Sequence, residues 1–402
     1  MRVFSVKYCC LVWGCCLIWA VPASALTIEE ESRWTGEHVF TETVKVVTGV
    51  RLTISAGAKV HFESGGLEIT RRLVADDVEF SGTGWSGILL KGCDETTRIS
   101  NSTITGAKTG IKLQGGSPTL ERLTLSDNNV GIEVRGKAAG TISQSGFIGN
   151  RKVGLFLKDE STTSVTGSFF EGNMRFGAYI YRAMPAAFHD NRFSDNQTGL
   201  MIAYFGSDPL VSGNLFERNK TAIEVDRAAR PILRSNRLLG NQIGISLSRR
   251  ADPRVEGNRL EQNDTAVRIA LSSYPVIKAN DFLDNRLAVE LVSQSSAWER
   301  AYGAGARAGE AASRSAFAGQ GKRSVSEDDR QARSLDGTIK AVGNWWGVEG
   351  SRELAAVGVD GNPSFIFDGR DQETFHVDEG DFPMDRVVFS PWSMDSLTEA
   401  RP

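Results

Sequence analysis

A four-residue signature, Gly or Ala followed by apolar–any–apolar, returns ten times along the chain at nearly constant intervals. It reads GILL at 87–90, GIKL at 110–113, GIEV at 131–134, GLFL at 154–157 and GAYI at 177–180. It goes on as GLMI at 199–202, AIEV at 222–225, GISL at 244–247, AVRI at 266–269 and AVEL at 288–291. Successive starts lie 21 to 23 residues apart. Chance alternation of apolar residues loses phase within two or three steps. Ten steps in phase mean a stacked repeat, in which each unit buries its apolar side against the next.

The unit is too short for helices with their connections and divides into three short strands. In residues 199–220 these are GLMIAY, then LVSG after a loop holding SDP, then LFE after a corner at Asn214, with a turn at Asn219. Apolar residues alternate with polar ones, as a strand with one buried face requires. Val211, Leu233, Val255 and Ile277 form one inward column; Phe193, Phe216, Leu238, Leu260 and Phe282 form another. One unit is one triangular coil of parallel β-structure, and ten coils at ~4.8 Å each make a rod of roughly 50 Å.

Asparagine marks the corners. One column holds Asn191, Asn214, Asn236, Asn258 and Asn280. A second holds Asn128, Asn150, Asn173, Asn196, Asn219, Asn241, Asn263 and Asn285. A corner calls for a residue that tolerates positive φ and satisfies bent backbone, and Asn does both. The glycosylation-like triplets NQT (196–198), NKT (219–221) and NDT (263–265) then follow from a corner Asn lying two residues before a turn Thr.

These NxFxxN…GIxL coils, the opening VRLTISAGAKVHF (50–62) and the closing GNWWG (343–347) resemble the right-handed parallel β-helix repeat proteins of the pectin-lyase-like superfamily. The resemblance covers most of the chain and implies right-handed coiling. It is nearest in character to secreted bacterial members, including relatives of the periplasmic copper-enzyme accessory protein. The expected fold is all-β: a single right-handed parallel β-helix of about ten or more coils.

Residues 1–25 read as an export signal, to be removed before Leu26. Arg2 and Lys7 precede the apolar run YCCLVWGCCLIWA (8–20), which is short for a membrane span, and Ala23 and Ala25 supply small residues. Cys15 offers lipid attachment as an alternative. Removing two cations from a net charge of −3 leaves −5. That balance gives no footprint for nucleic acid, and no later segment is apolar enough to cross a membrane. Of five cysteines only Cys93 follows the signal, so stability must come from the core. The remaining chain divides into 26–292, the β-helix with an N-terminal cap (RWTGEHVFTETVKVV); 293–337, a mobile insertion rich in Ala, Gly, Ser and charge, with a short helix in its Ala-rich part; and 338–402, a final coil and C-terminal cap with Trp345, Trp346 and Trp392.

Function is sought on the outward side of the signature strand. Its outward columns carry Lys112, Glu133, Phe156, Tyr179, Met201, Glu224, Ser246, Arg268 and Glu290, and then Lys158, Tyr181, Ala203 and Asp226. The loops beyond add Arg182, Tyr204, Phe205, Arg227, Arg230, Arg249 and Arg250. Exposed aromatics beside charge suit a sugar, so Phe156, Tyr179, Tyr181, Tyr204, Phe205, Arg249 and Arg250 are the candidate polysaccharide-binding residues. In enzymes of the resembled superfamily the substrate cleft lies along this strand too. A lyase or epimerase would draw its base from Lys158, Tyr181 or Arg182 and neutralise a carboxylate with Arg227; a hydrolase would use Glu224 and Asp226.

Metal signals are poor. His38, His61, His189 and His376 are scattered, and Met174, Met184 and His189 are a loose set that could suit copper. No cofactor is implied, and nothing identifies a protein partner. The leading expectation is an exported scaffold or polysaccharide-binding protein. The alternatives are a polysaccharide lyase, epimerase or hydrolase and, from the resemblance alone, a periplasmic metal-enzyme accessory protein.

Overall fold

The computed structural model describes residues 25–309 and 334–396. The export-signal reading lies outside them except for Ala25, as does 310–333 of the insertion. The described chain coils through three parallel sheets, one of 14 strands and two of 12. Numbering coils from 1 at Ala25–Ile28, twelve contribute a strand to every sheet. Leu287–Val292 begins coil 13, and Ile366–Phe367 adds the last strand of the first sheet. At ~4.8 Å per step the rod is roughly 60 Å long.

Register is strict because each inward residue sits on its counterpart one coil away. Leu200 pairs with Ile223 and Ile223 with Ile245 in the first sheet; Val211 pairs with Leu233 in the second; Phe193 pairs with Phe216 in the third. The Phe column starts earlier than the sequence reading placed it. Phe147, Phe170, Phe193 and Phe216 stack in near-parallel pairs with centroids 4.6, 4.5 and 4.6 Å apart, all fully buried. Burying each such side chain contributes about 1.5–3 kcal/mol, which explains how the described residues, whose single cysteine Cys93 is free, hold together.

The asparagines turn the corners, but by a different means than positive φ. The left-handed residue is the one before each Asn: Asp127, Gly149, Gly172, Asp195, Arg218, Gly240, Gln262 and Asp284 in one column. Each Asn is buried, save the half-buried Asn285 at the end, and its amide serves the backbone that the bend leaves unpaired. Asn236 Nδ2 donates to the Val211 carbonyl and to Asn258 Oδ1, both at 3.0 Å, while its backbone N–H also donates to Asn258 Oδ1 at 3.0 Å. The same bonds run from coil to coil up to Asn285 and Asn344. Toward the N-terminus serine hydroxyls take over: Ser168 Oγ accepts from Ser145 N–H, and Ser145 Oγ from Leu123 N–H, both at 3.1 Å. Asn196, Asn219 and Asn263, the triplet asparagines, are all buried rungs.

The ends also depart from expectation. Residues 33–47, read as a cap, supply strands of coils 1 and 2, in register with their neighbours. At the other end Trp346 stacks on Phe282 at 4.7 Å, and the helix Gly347–Val357 follows it. Trp345 is buried and Trp392 half-buried. Residues 296–309 are helical, in the Ala-rich part of the insertion where a short helix was expected.

Candidate functional site

The outward face of the first sheet over coils 7 to 11 gathers most of the candidate residues. Coil 7 brings Phe156 and Lys158, coil 8 Tyr179 and Tyr181, and coil 10 Glu224 and Asp226. Parallel register sets Tyr179, Met201 and Glu224 in one row, and Tyr181, Ala203 and Asp226 in the next. The turns that leave this sheet hold Arg182, Tyr204, Arg227, Arg249 and Arg250, all at positive φ between 49° and 74°. That backbone swings the chain into the following loop and lines these side chains along one edge of the rod.

The face is less open than alternation implied. Met201 and Ala203 belong to the outward set, yet both are buried. Their strand, Thr198–Ala203, is buried along its whole length beneath the larger side chains of adjacent coils. The aromatics expected to be exposed are half-buried, and several have a neighbour over one ring face. Phe156 and Tyr179 stack at 4.9 Å with 11° between planes. Lys158 Nζ lies 5.0 Å from the Phe156 ring, Arg227 Cζ 5.0 Å from Tyr204, and Arg182 Cζ 5.3 Å from Phe205. Tyr181 meets Tyr204 edge-on at 4.8 Å. The surface therefore has fewer free ring faces than alternation suggested. It offers ring edges, phenol hydroxyls and guanidinium groups.

The acidic candidates behave differently from one another. Asp226 is buried and clasped by Arg249, whose Nε donates to Oδ1 at 2.6 Å and whose Nη2 donates to Oδ2. Ser248 Oγ donates to the same Oδ1 at 2.9 Å, and Arg227 lies 3.7 Å from Oδ2. Asp226 is thus a fixed counter-ion and not the solvated acid that its position suggested; an arginine one coil away, which alternation does not reveal, makes the difference. Glu224 is half-buried, and burial, reinforced by the charge of Asp226, raises its carboxyl above the ordinary value.

Of the candidate bases, Lys158 is paired with Glu133 at 3.0 Å. Burial, helped by Tyr181 and Tyr204, pushes the Tyr179 phenol up to about 12, so it keeps its proton. Tyr204 also accepts a hydrogen bond from Arg227 through its hydroxyl. The loose copper set is not brought together. Met174 precedes the strand Phe176–Tyr181, Met184 follows it, and His189 ends a strand of the second sheet. Among the described residues no group of three or more His, Cys, Asp or Glu could hold a metal ion.

Two families match the chain. One, described as a right handed beta helix region, covers residues 65–216. The other, described as periplasmic copper-binding protein (NosD), covers residues 172–303. No curated protein matches. Among solved structures, a double mutant of the periplasmic alginate epimerase AlgG is 15% identical over 63% of this chain, with a TM-score of 0.37. The chain spans 64% of that protein's length. A single mutant of the same epimerase is 14% identical over 77% of this chain and 72% of its own, with a TM-score of 0.29. With three parallel sheets in unbroken coil-to-coil register and a right-handed β-helix family matching residues 65–216, the chain is a right-handed parallel β-helix repeat protein.

Proposed function

We propose that this chain is an exported β-helix binding protein that recognises polysaccharide on the outward face of the first sheet, between Phe156 and Arg250. One observation carries the reading: three tyrosines and the guanidinium groups of Arg182, Arg227, Arg249 and Arg250 line a single face over successive coils. The rise of about 4.8 Å per coil is close to the length of one pyranose unit, so a sugar chain laid along the rod meets equivalent groups in step. Phenol and guanidinium donors suit sugar hydroxyls and carboxylates. Export is supported by the N-terminal apolar run, and by the periplasmic description of the family that matches 172–303.

A lyase, epimerase or hydrolase on the same face has less support, because Lys158 is ion-paired with Glu133 and Asp226 is clasped by Arg249; such a reaction would have to draw on Tyr181, Arg182, Glu224 and Arg227. The match to a family described as copper-binding favours a second reading, an accessory protein for a metal enzyme. Metal analysis of protein purified from the periplasm tests that reading, and protein free of copper counts against it. The binding reading is tested by glycan-array screening of the exported chain beside Tyr179→Ala and Tyr181→Ala. Loss of a hit in both variants is expected. Unchanged binding would remove the tyrosine face from the account. Screening uronate polymers for unsaturated product, read by ultraviolet absorbance, separates binding from lyase activity.

A further inference from the structure

The chain that leaves coil 13 turns back along the rod and is fastened at two points. At the first, Ser296 N–H donates to Asp385 Oδ1 at 2.7 Å, its hydroxyl donates to Oδ2 at 2.9 Å, and Tyr274 donates its own hydroxyl to Ser296 Oγ at 3.3 Å. This ties the start of the helical stretch 296–309 to coil 12 and to the C-terminal segment. At the second, Arg307 reaches into the loops of coils 11 and 12. Its Nη1 donates to Asp252 Oδ2 at 2.8 Å, its Nη2 to the Ser272 carbonyl and its Nε to Glu299. Its guanidinium also lies 5.6 Å from the Tyr274 ring.

These ions are buried: the side chains of Arg307, Asp252 and Glu299 are 12%, 7% and 2% exposed. Glu299 folds over Gly303, where a Cβ would meet its Oε2 at 2.1 Å, so any larger residue there would push the Glu299 carboxylate aside. A buried ion group adds little net stability over an apolar replacement, but it is costly to break by removing one partner. Such a group serves to fix one arrangement against others. Here the group is attached to the candidate face. Asp252 closes the turn that carries Arg249 and Arg250, and its second oxygen accepts the Tyr274 N–H at 2.7 Å. The turn is thereby gripped from the next coil and from the strap.

We propose that Arg307 is a positioning residue for the arginine edge of this face: by clamping Asp252 and the Ser272 carbonyl it fixes the turn bearing Arg249 and Arg250. The functional meaning rests on the polysaccharide reading above, but the fastening does not.

Hydrogen–deuterium exchange on the full chain tests it. Arg307→Met should speed amide exchange tenfold or more in both 249–253 and 296–309, and leave coils 5 to 8 unchanged. Arg307→Lys, which keeps a cation, should recover part of the protection. Faster exchange in 296–309 alone would show that the strap holds only itself, and would overturn the proposal. Should Arg307→Met loosen the whole rod, the triple variant R307M/D252N/E299Q removes the stranded charges. Local loosening at 249–253 in that variant supports the proposal, and unchanged exchange there overturns it. Failure to find a glycan would leave this exchange pattern intact, so the two readings fail separately.

Discussion

Asn236 and Asn258 lie 22 residues apart in sequence and one coil apart in space, and the first gives both its backbone and its side-chain N–H to the second's Oδ1 at 3.0 Å. Asn214 gives the same pair of bonds to Asn236. A ladder of this kind ties stability to every rung. Asn236→Ala strands the two Asn214 donors and the Val211 carbonyl in the interior. At about 1–3 kcal/mol for each unsatisfied buried group, partly relieved by relaxation, the loss should be about 3 kcal/mol. Asn285→Ala, at the half-buried end of the other ladder, should cost about half as much because water can replace the amide. Urea unfolding of both variants checks the order, and equal losses would show that burial along the ladder is not what matters.

The Phe stack makes a second prediction. Phe193 lies between Phe170 and Phe216, with ring centroids at 4.5 and 4.6 Å. Phe193→Ala should destabilise by about 4 kcal/mol, since the neighbours are tied to their own strands and cannot collapse into the cavity. Phe193→Leu should cost about half that, as leucine already fills the column at Leu238 and Leu260. Thermal unfolding of both variants measures it.

Two glutamates should give opposite pH signatures. Burial raises the Glu224 carboxyl, so the folded state holds that proton more tightly than the unfolded chain. Its favourable contribution is present below the unfolded value of about 4.5 and is lost as pH rises through the folded value. Glu224→Gln should therefore raise the urea midpoint at pH 7 and add nothing in acid. At Glu256 burial opposes the charge, but hydrogen bonds from Arg254 and Arg234 outweigh it and hold the carboxyl below its usual range. Its contribution is present above the unfolded value and lost as pH falls through the folded one. Glu256→Gln should lower the midpoint at pH 7, with the gap closing in acid. The same sign for both variants would contradict this assignment.

Cys93 is fully buried, and burial pushes its thiol above the ordinary value. A maleimide should label it at the rate at which the rod opens and not at the rate of a free thiol. Labelling in native buffer that matches the unfolded chain would show that coil 4 is open.

The period, the inward columns and the corner asparagines were all legible in the sequence, because each repeats. Of the three earliest coils only the second breaks the signature, with Thr43 where the others have Ala25 and Gly66; GLEI at 66–69, in phase 21 residues before GILL, lies outside the ten copies counted above although it is equally legible. Serine rungs escaped notice because a hydroxyl can replace an amide only where the geometry already permits it. On the candidate face, alternation correctly set the strand residues outward. It did not reveal that Arg249 would neutralise Asp226, or that lysine and arginine would each cover one ring face. Those are contacts between coils, chosen by side-chain length and turn geometry. The docking of 296–309 depends on Arg307 meeting Asp252, 55 residues away, and no local pattern carries that.

The central claim is that the face recognises polysaccharide through hydroxyl and guanidinium groups at ring edges. Titration calorimetry of Tyr181→Phe and Arg227→Gln against a glycan identified on the array tests it most directly. Tyr181→Phe keeps the ring and removes only the hydroxyl, so the account predicts a five- to tenfold weaker Kd, about 1 kcal/mol. Arg227→Gln should weaken binding by about tenfold or more, as expected for a charge-assisted bond. Full affinity in both variants would contradict the account.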